Sequence, residues 1–143
     1  MGYIGQQRSD IKQINLFLLL ICCYNQSMPE FRTKKTYDKY KKFIAEGHMK
    51  NVCQLCVRKS IKEFKYWKIL KNDFPWDLVG KVHDMIVPKR HITEEKLTEL
   101  EKKEFQKIKK TFIEKNYGTM AESTKRKKSI PSHFHIHLLV ARD

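Results

Sequence analysis

The chain has 143 residues, enough for one domain with its own hydrophobic core and too few for two of ordinary size. Hydrophobic residues at 41% and charged residues at 32% exclude an intrinsically disordered chain, and no apolar stretch is long enough to cross a bilayer as a helix. The 30 Lys and Arg against 16 Asp and Glu give a formal net charge of +14, which points to anionic partners such as nucleotides, nucleic acid or acidic lipid without choosing among them.

Residues 1–27 differ from the rest. An apolar run over residues 16–23 follows Arg8 and Lys12 and precedes polar Tyr24, Asn25, Gln26 and Ser27, the outline of a weak signal peptide. Asp10 in the basic region and the lack of a small-x-small cleavage site favour the other reading, a cytoplasmic protein whose native chain starts near Met28. The domain is then residues 28–143, with residues 28–50 as an N-terminal helical extension. Within it, residues 36–45 carry Tyr37, Tyr40, Phe43 and Ile44 at helical spacing, and Gly47 supplies a stop.

Cys53-x-x-Cys56 comes next, with a spacing that serves either zinc or redox chemistry. A thioredoxin-like pair sits between a strand and a helix of a βαβ unit; this pair follows a basic helical stretch, so metal binding is the expectation. Trp67-Lys68-Ile69-Leu70 reads as a strand running into a turn at Asn72-Asp73-Phe74-Pro75-Trp76-Asp77. Residues 81–87 form a second strand, closed by Pro88 because proline has no N–H to give a ladder.

From Thr93 the period changes. Thr93 is the expected N-cap, Glu94 and Glu95 occupy the positive first turn, and Leu97, Leu100, Phe105, Ile108 and Phe112 share a face, which makes this the longest helix. Gly118 follows, and residues 123–129 are polar and like-charged enough to be a loop. Residues 132–140 then alternate with period two: His133, His135 and His137 on one face, Phe134, Ile136 and Leu138 on the other. A strand here buries its aliphatic stripe against the long helix and turns three imidazoles to a cleft. Core burial gives no reason for such a row, whereas a metal or a phosphate does.

His133-Phe134-His135-Ile136-His137-Leu138-Leu139 resembles the signature of the histidine-triad superfamily. Val82-His83-Asp84-Met85-Ile86-Val87-Pro88-Lys89-Arg90-His91 is similar to that family's strand ending in a Pro-Lys-x-His turn. Asn72-Asp73-Phe74-Pro75-Trp76 resembles the preceding segment of the galactose-1-phosphate uridylyltransferase-like branch. The resemblance covers residues 53–140 and implies an α+β fold: an antiparallel sheet with the triad on its last strand, helices packed on one face, and a structural zinc site. It extends to homodimers, although no dimer face is legible in this sequence.

The same resemblance implies a nucleotide hydrolase or nucleotidyl transferase in which His135 attacks an α-phosphorus and becomes covalently nucleotidylated. It puts His137 on the phosphate or leaving group, and because classical uridylyltransferases carry Gln there, it tilts the reading to hydrolysis. His83 matches a further active-site histidine, Asn72 a ribose contact, and Phe74 or Trp76 a flank for the base. Cys53, Cys56, His91 and His133 match the structural Zn2+ site of the zinc-bearing branches, two thiolates and two imidazoles closing a tetrahedron. Just before the triad the family's Gly-Gln-Ser-like segment is replaced by Lys128-Ser129-Ile130-Pro131-Ser132, which leaves Ser129 or Ser132 for the phosphate; Ser132 is the one assigned. Lys89 and Arg90 read as either phosphate-steering groups or a solvated turn, and Lys125 to Lys128 as a basic loop drawing substrate in. A second reading, of a different class, is a non-catalytic zinc-stabilised module that binds nucleic acid through its basic surface.

Overall fold

In the computed structural model, which describes residues 31–143, five strands pair into one antiparallel sheet. They are β1 (Ser60–Glu63), β2 (Trp67–Lys71), β3 (Gly80–Pro88), β4 (Thr119–Ala121) and β5 (Ile136–Ala141), in the spatial order β1-β2-β3-β5-β4. The protein is thus α+β with an antiparallel sheet, as expected, but its helices are not confined to one face: the long helix packs on one side and the Leu55 turn on the other, because both faces of β2 and β3 carry apolar residues to cover. The expectations for residues 1–27 and Met28 fall outside the described residues. Among the described residues no helix is long and apolar enough to cross a membrane.

The period-two pattern of β2, β3 and the triad segment divides the sheet into two chemically different faces. Trp67, Ile69, Ile86, Phe134 and Leu138 lie on one, in a single buried cluster with Ile108 and Ile113 of the long helix. Leu70, Met85 and Val87 point the other way and pack on Leu55, while His83 and His137 occupy neighbouring positions on that side. The register Met85↔His137 and Ile86↔Ile136 aligns the two strands so that one stripe goes to the helix and the histidines go opposite.

The long helix differs from its forecast. Thr93 opens only a single 3-10 turn over Glu94–Lys96 and makes no side-chain cap. The true N-cap is Thr98, which forms a reciprocal capping box with Glu101 at the start of α3 (Glu99–Ile108). This shifts the buried face: Leu100 is exposed, whereas the Glu101 side chain is buried against a bidentate Arg90 guanidinium, both contacts at 2.8 Å, and its carbonyl accepts from the Trp67 indole at 2.8 Å. Beyond α3 the helix widens over Lys109–Ile113 before its last turn, so Ile108 and Ile113, five residues apart, both reach the core.

Two strands carry no legible signal. β1 and β4 are short edge strands with mostly exposed or half-buried side chains, held through backbone pairing to β2 and β5. Neither has an apolar face whose alternation a reader could count.

Ahead of the sheet, α1 (Lys34–Ala45) is the expected helix, followed by the single turn α2 (Gln54–Val57), and Gly47 beyond α1 takes φ +80, the left-handed conformation that terminates helices at glycine. Its N-terminus is pinned by Asp77 from the turn after β2. One carboxylate oxygen accepts from the Thr33 amide at 2.7 Å, the other from the Thr33 and Thr36 hydroxyls at 2.7 and 2.6 Å. Burial alone raises the Asp77 carboxyl, yet these donors outweigh it and hold the group below its ordinary value. Asp77→Ala removes the acceptor and leaves the helix start unpinned, a loss of about 1–2 kcal/mol. Faster amide exchange confined to α1, with a modest drop in the urea midpoint, is the expected readout; unchanged exchange in α1 would show that Asp77 does not hold it.

Candidate active site and metal centre

The site begins where the β3–β5 ladder stops. The period-two pattern predicts one strand over residues 132–140, but the observed β5 starts only at Ile136, with pairing ending at Ile86↔Ile136. Pro88 is the cause, since it has no N–H for the next rung. The Phe134 amide bonds instead to the Ile92 carbonyl at 2.7 Å, and the Pro88 carbonyl is taken by the His133 ring, Nε2 to O 2.9 Å. His133 and His135 thus lie on the extended run into the strand and His137 within it. All three are buried on the face opposite the long helix.

His133, with Nε2–H donating to Pro88, presents the lone pair of Nδ1. Two sulfurs meet it, Cys53 Sγ and Cys56 Sγ each at 3.4 Å, and Cys56 Sγ also lies 3.3 Å from His91 Nδ1. One lone pair cannot accept two S–H donors, so hydrogen bonding does not account for the convergence. A tetrahedral ion bound to sulfur and nitrogen does: zinc bond lengths set its S···N edges at about 3.5 Å. The four ligand atoms all lie within 4.8 Å of one another. Cys53, Cys56, His91 and His133 can therefore hold a metal ion such as zinc. Burial raises the Cys56 thiol and lowers the His133 imidazolium, so protons are held tightly by the one and weakly by the other until a cation arrives.

His135 is the next ring in the row. Its Nδ1 sits 2.8 Å from the His133 carbonyl, which only an N–H can satisfy; Nδ1 is protonated and Nε2 keeps its lone pair. Burial pushes its pKa down, with the hydrogen bond to His133 acting the other way, so the ring is neutral at neutral pH.

The third ring belongs to a relay. The Trp76 amide donates to His83 Nδ1 at 2.7 Å, which forces the His83 proton onto Nε2. That Nε2–H donates to His137 Nδ1 at 2.8 Å, and His137 in turn carries its own proton on Nε2. The tautomers of both rings are thus set by one backbone amide. Asn72 stays beside them, its Oδ1 accepting from the Phe74 amide at 3.0 Å and its Nδ2 3.3 Å from His83. The Trp76 indole lies over His137 at 4.3 Å between ring centroids. Burial, aided by the Arg32 charge, lowers His83 to about 4; burial and then the neighbouring His83 lower His137 to about 3.

Because both rings bind protons more weakly in the fold than in the unfolded chain, where the value is about 6.5, acid favours unfolding. Their contribution is fully present above pH 6.5 and is lost as pH falls through the folded values of about 4 for His83 and about 3 for His137. Acid also protonates the metal ligands, so the variant matters: His83→Gln with His137→Gln in a chain titrated by urea should flatten the stability profile between pH 6.5 and 4. A slope identical to that of the parent would contradict the assignment.

His135 and His137 open onto a cleft, partly open to solvent, on the side away from the long helix. Asn72, Phe74 and Ser129 line it, as do Tyr40 and Phe43 from α1. Phe74 packs against Tyr40 and Phe43 at centroid distances of 5.2 and 5.0 Å, and the Tyr40 hydroxyl reaches Ser129 Oγ at 2.7 Å. The helical extension is therefore a wall of this cleft, a role its amphipathic spacing did not disclose.

The structure brings together most of the assigned residues and displaces four groups. His83 does not line the cleft; it supports His137 from behind. Ser132 is exposed and borders an adjoining hollow with Cys53 and His91, on the side of the metal ligands, whereas Ser129 lines both that hollow and the cleft of His135 and His137. Trp76 flanks His137 and is not among the residues lining the cleft. Lys89 and Arg90 are paired with Glu63 and Glu101, and Lys125 with Glu95. Sequence reasoning missed Arg32 and Arg58, which also line the cleft; nothing in a chain this rich in Lys and Arg singles them out. No protein-family model matches the sequence, and no curated protein matches it either.

Proposed function

We propose that the protein is a nucleotide hydrolase or nucleotidyl transferase of the histidine-triad kind, working at an α-phosphorus through a covalent nucleotidyl-histidine on His135. The observation that carries this reading is the His135 tautomer. With Nδ1–H given to the His133 carbonyl, the ring needs no separate base before Nε2 attacks. Nε2 forms a bond to phosphorus while the bond from phosphorus to the leaving oxygen breaks, and the leaving group departs with the electron pair. The positive charge that develops on the His135 ring is met by the same carbonyl. His137 offers Nε2–H to the phosphoryl oxygens, its direction held by His83 and, one step back, by the Trp76 amide. Water then adds to phosphorus and releases a proton to solvent, and the N–P electron pair returns to Nε2. Hydrolysis is favoured over transfer by the resemblance of the His137 position to hydrolytic members.

Cys53, Cys56, His91 and His133 would hold the structural zinc of this reading. Bound there, the ion would brace the fold rather than activate water, since four protein ligands would fill its coordination. His133 is the link to the chemistry, since its ring belongs to the metal cluster and its carbonyl holds the nucleophile. The residues Asn72, Phe74 and Ser129 are the nucleotide contacts that the cleft makes available.

Trapping tests the reading. The full chain is incubated with a panel of dinucleoside polyphosphates and nucleoside phosphoramidates, quenched at alkaline pH where the N–P bond survives, and weighed by intact mass spectrometry. A gain of one nucleotidyl group, located at His135 and absent from His135→Ala, is expected. Turnover by His135→Ala at the parental rate would remove the nucleophile assignment.

A further inference from the structure

The Cys53-x-x-Cys56 spacing serves redox chemistry as well as zinc, and the fold leaves room for both uses. The two cysteines share one backbone turn. The Cys56 amide donates to the Cys53 carbonyl at 3.0 Å, which keeps the two α-carbons within the span that a disulfide bridges. Their sulfurs lie within 4.8 Å of each other, so an S–S bond can close by rotation of two side chains. Access divides them: Cys56 is exposed and Cys53 half-buried. Lys68, itself buried, brings a positive charge beside the exposed one, its Nζ donating to the Cys56 carbonyl at 3.0 Å. A cysteine that ligates zinc is a thiolate, and the thiolate is also the form that attacks a disulfide. Metal occupancy would therefore keep a nucleophilic sulfur within reach of solvent at the edge of the site.

We infer that Cys53 and Cys56 form a redox switch on the nucleophile: a small-molecule disulfide such as oxidised glutathione converts them to a protein disulfide, zinc leaves, and the hold on His133 and hence on His135 is loosened. The inference rests on the structural zinc of the reading above. The exposed Cys56 sulfur attacks one sulfur of oxidised glutathione, forming a mixed disulfide while the reagent's S–S bond breaks and one glutathione thiolate departs. The Cys53 sulfur then attacks the Cys56 sulfur, the protein disulfide forms, and the second glutathione thiolate departs. Two electrons pass from the cysteine pair to the reagent, and the departing thiolates take protons from solvent. Disulfide sulfurs carry no charge, which leaves zinc only His91 and His133, half of its four ligands. His91 is exposed and goes free, whereas His133 keeps its Nε2–H on the Pro88 carbonyl and loses the partner of Nδ1. The His133 carbonyl accepts from His135 Nδ1, so freedom gained by the first residue is passed to the second.

Zinc release, read without any nucleotide, tests the switch. The full chain, its zinc content first measured by elemental analysis, is treated with excess oxidised glutathione beside a chromophoric zinc indicator, then alkylated, digested and mapped by mass spectrometry. One zinc released per Cys53–Cys56 disulfide is expected, at least about tenfold faster than with reduced glutathione at the same concentration, and dithiothreitol with added zinc should restore the content. In Cys53→Ser, glutathione should stay on Cys56 because the second sulfur is gone; should that chain not fold, an early quench of the parent should show the adduct on Cys56. The Phe134 amide, which bonds the Ile92 carbonyl at 2.7 Å, should exchange at least about tenfold faster after release. Zinc kept under oxidation, zinc lost without that disulfide, pairing through Cys22 or Cys23 instead, or unchanged exchange at Phe134 would overturn the inference while leaving His135 as nucleophile. A native chain without zinc would defeat the structural-zinc reading and this inference with it. Release and loosening in a chain that turns over no nucleotide would instead defeat the catalytic reading and leave the switch standing.

Discussion

Replacing His135 by Asn should lower nucleotide turnover by at least about 10⁴-fold, because it removes the Nε2 that attacks phosphorus in the proposed reaction. Asn is the informative replacement. Its amide N–H can still donate to the His133 carbonyl as the imidazole Nδ1–H does at 2.8 Å, so the run into β5 keeps its hydrogen bond while the attacking atom is gone. The thermal midpoint should accordingly stay close to the parental value, and substrate binding should survive, seen as a large fall in kcat with little change in KM. His137→Gln should behave differently: it keeps a donor near the phosphate but cannot reproduce both ring nitrogens of the relay from His83, so a smaller fall, on the order of 10²-fold, is expected. A nucleic-acid module without catalysis makes the contrary prediction, salt-dependent binding to DNA or RNA that is the same in parent and His135→Asn.

Removal of the metal should be the larger structural effect. One zinc per chain is the expected content, measured by elemental analysis of native protein, and Cys53→Ala or Cys56→Ala should abolish it. Small zinc domains gain about 10–16 kcal/mol of apparent stability from the ion, but here the sheet has its own core, so a loss on the order of 5 kcal/mol is the reasonable expectation. For a domain of this size that is a drop of about 15–20 °C in Tm, read by calorimetry with and without a strong chelator. The damage should travel along a defined route. His133 contributes its ring to the metal cluster and its carbonyl to His135, so the demetallated chain should lose turnover at temperatures where it remains folded. Full activity in a chain verified to be metal-free, or a Tm indifferent to chelator, would show that the four ligands do not serve the site in this way.

The division between what was legible and what was not follows from how information is stored in the chain. The period-two row of residues 132–140 announced a strand with one aliphatic and one imidazole face, and the faces are those observed, because side-chain alternation is a property of the extended backbone and needs no tertiary partner. The Cys53-x-x-Cys56 spacing likewise announced metal chemistry, and pairing it with His91 and His133 drew on resemblance. Their convergence is a matter of distance in space, since 80 residues separate Cys53 from His133.

The long helix is a mixed case. Thr93 and Thr98 are both N-cap residues by type, but only Thr98 has a glutamate three residues on, Glu101, the capping-box spacing that Thr93 with Lys96 lacks. What local sequence does not show is that Arg90 holds Glu101 by a bidentate contact and that Leu100 is left facing outward. Similarly, α1 declared itself as a helix by spacing, but its place as a wall of the cleft depends on Asp77, more than 40 positions away, accepting from its first turn.

By itself, then, the sequence determined the secondary pattern, the two faces of the sheet and the identity of the chemically unusual side chains, all of which are properties of nearest neighbours and backbone period. Only the tertiary structure decided which nitrogen of each histidine holds its proton, which serine faces the cleft, and that two arginines among many cations line it. Those are set by single carbonyls, amides and ring edges contributed from distant parts of the chain, and a hydrogen bond has no period to read.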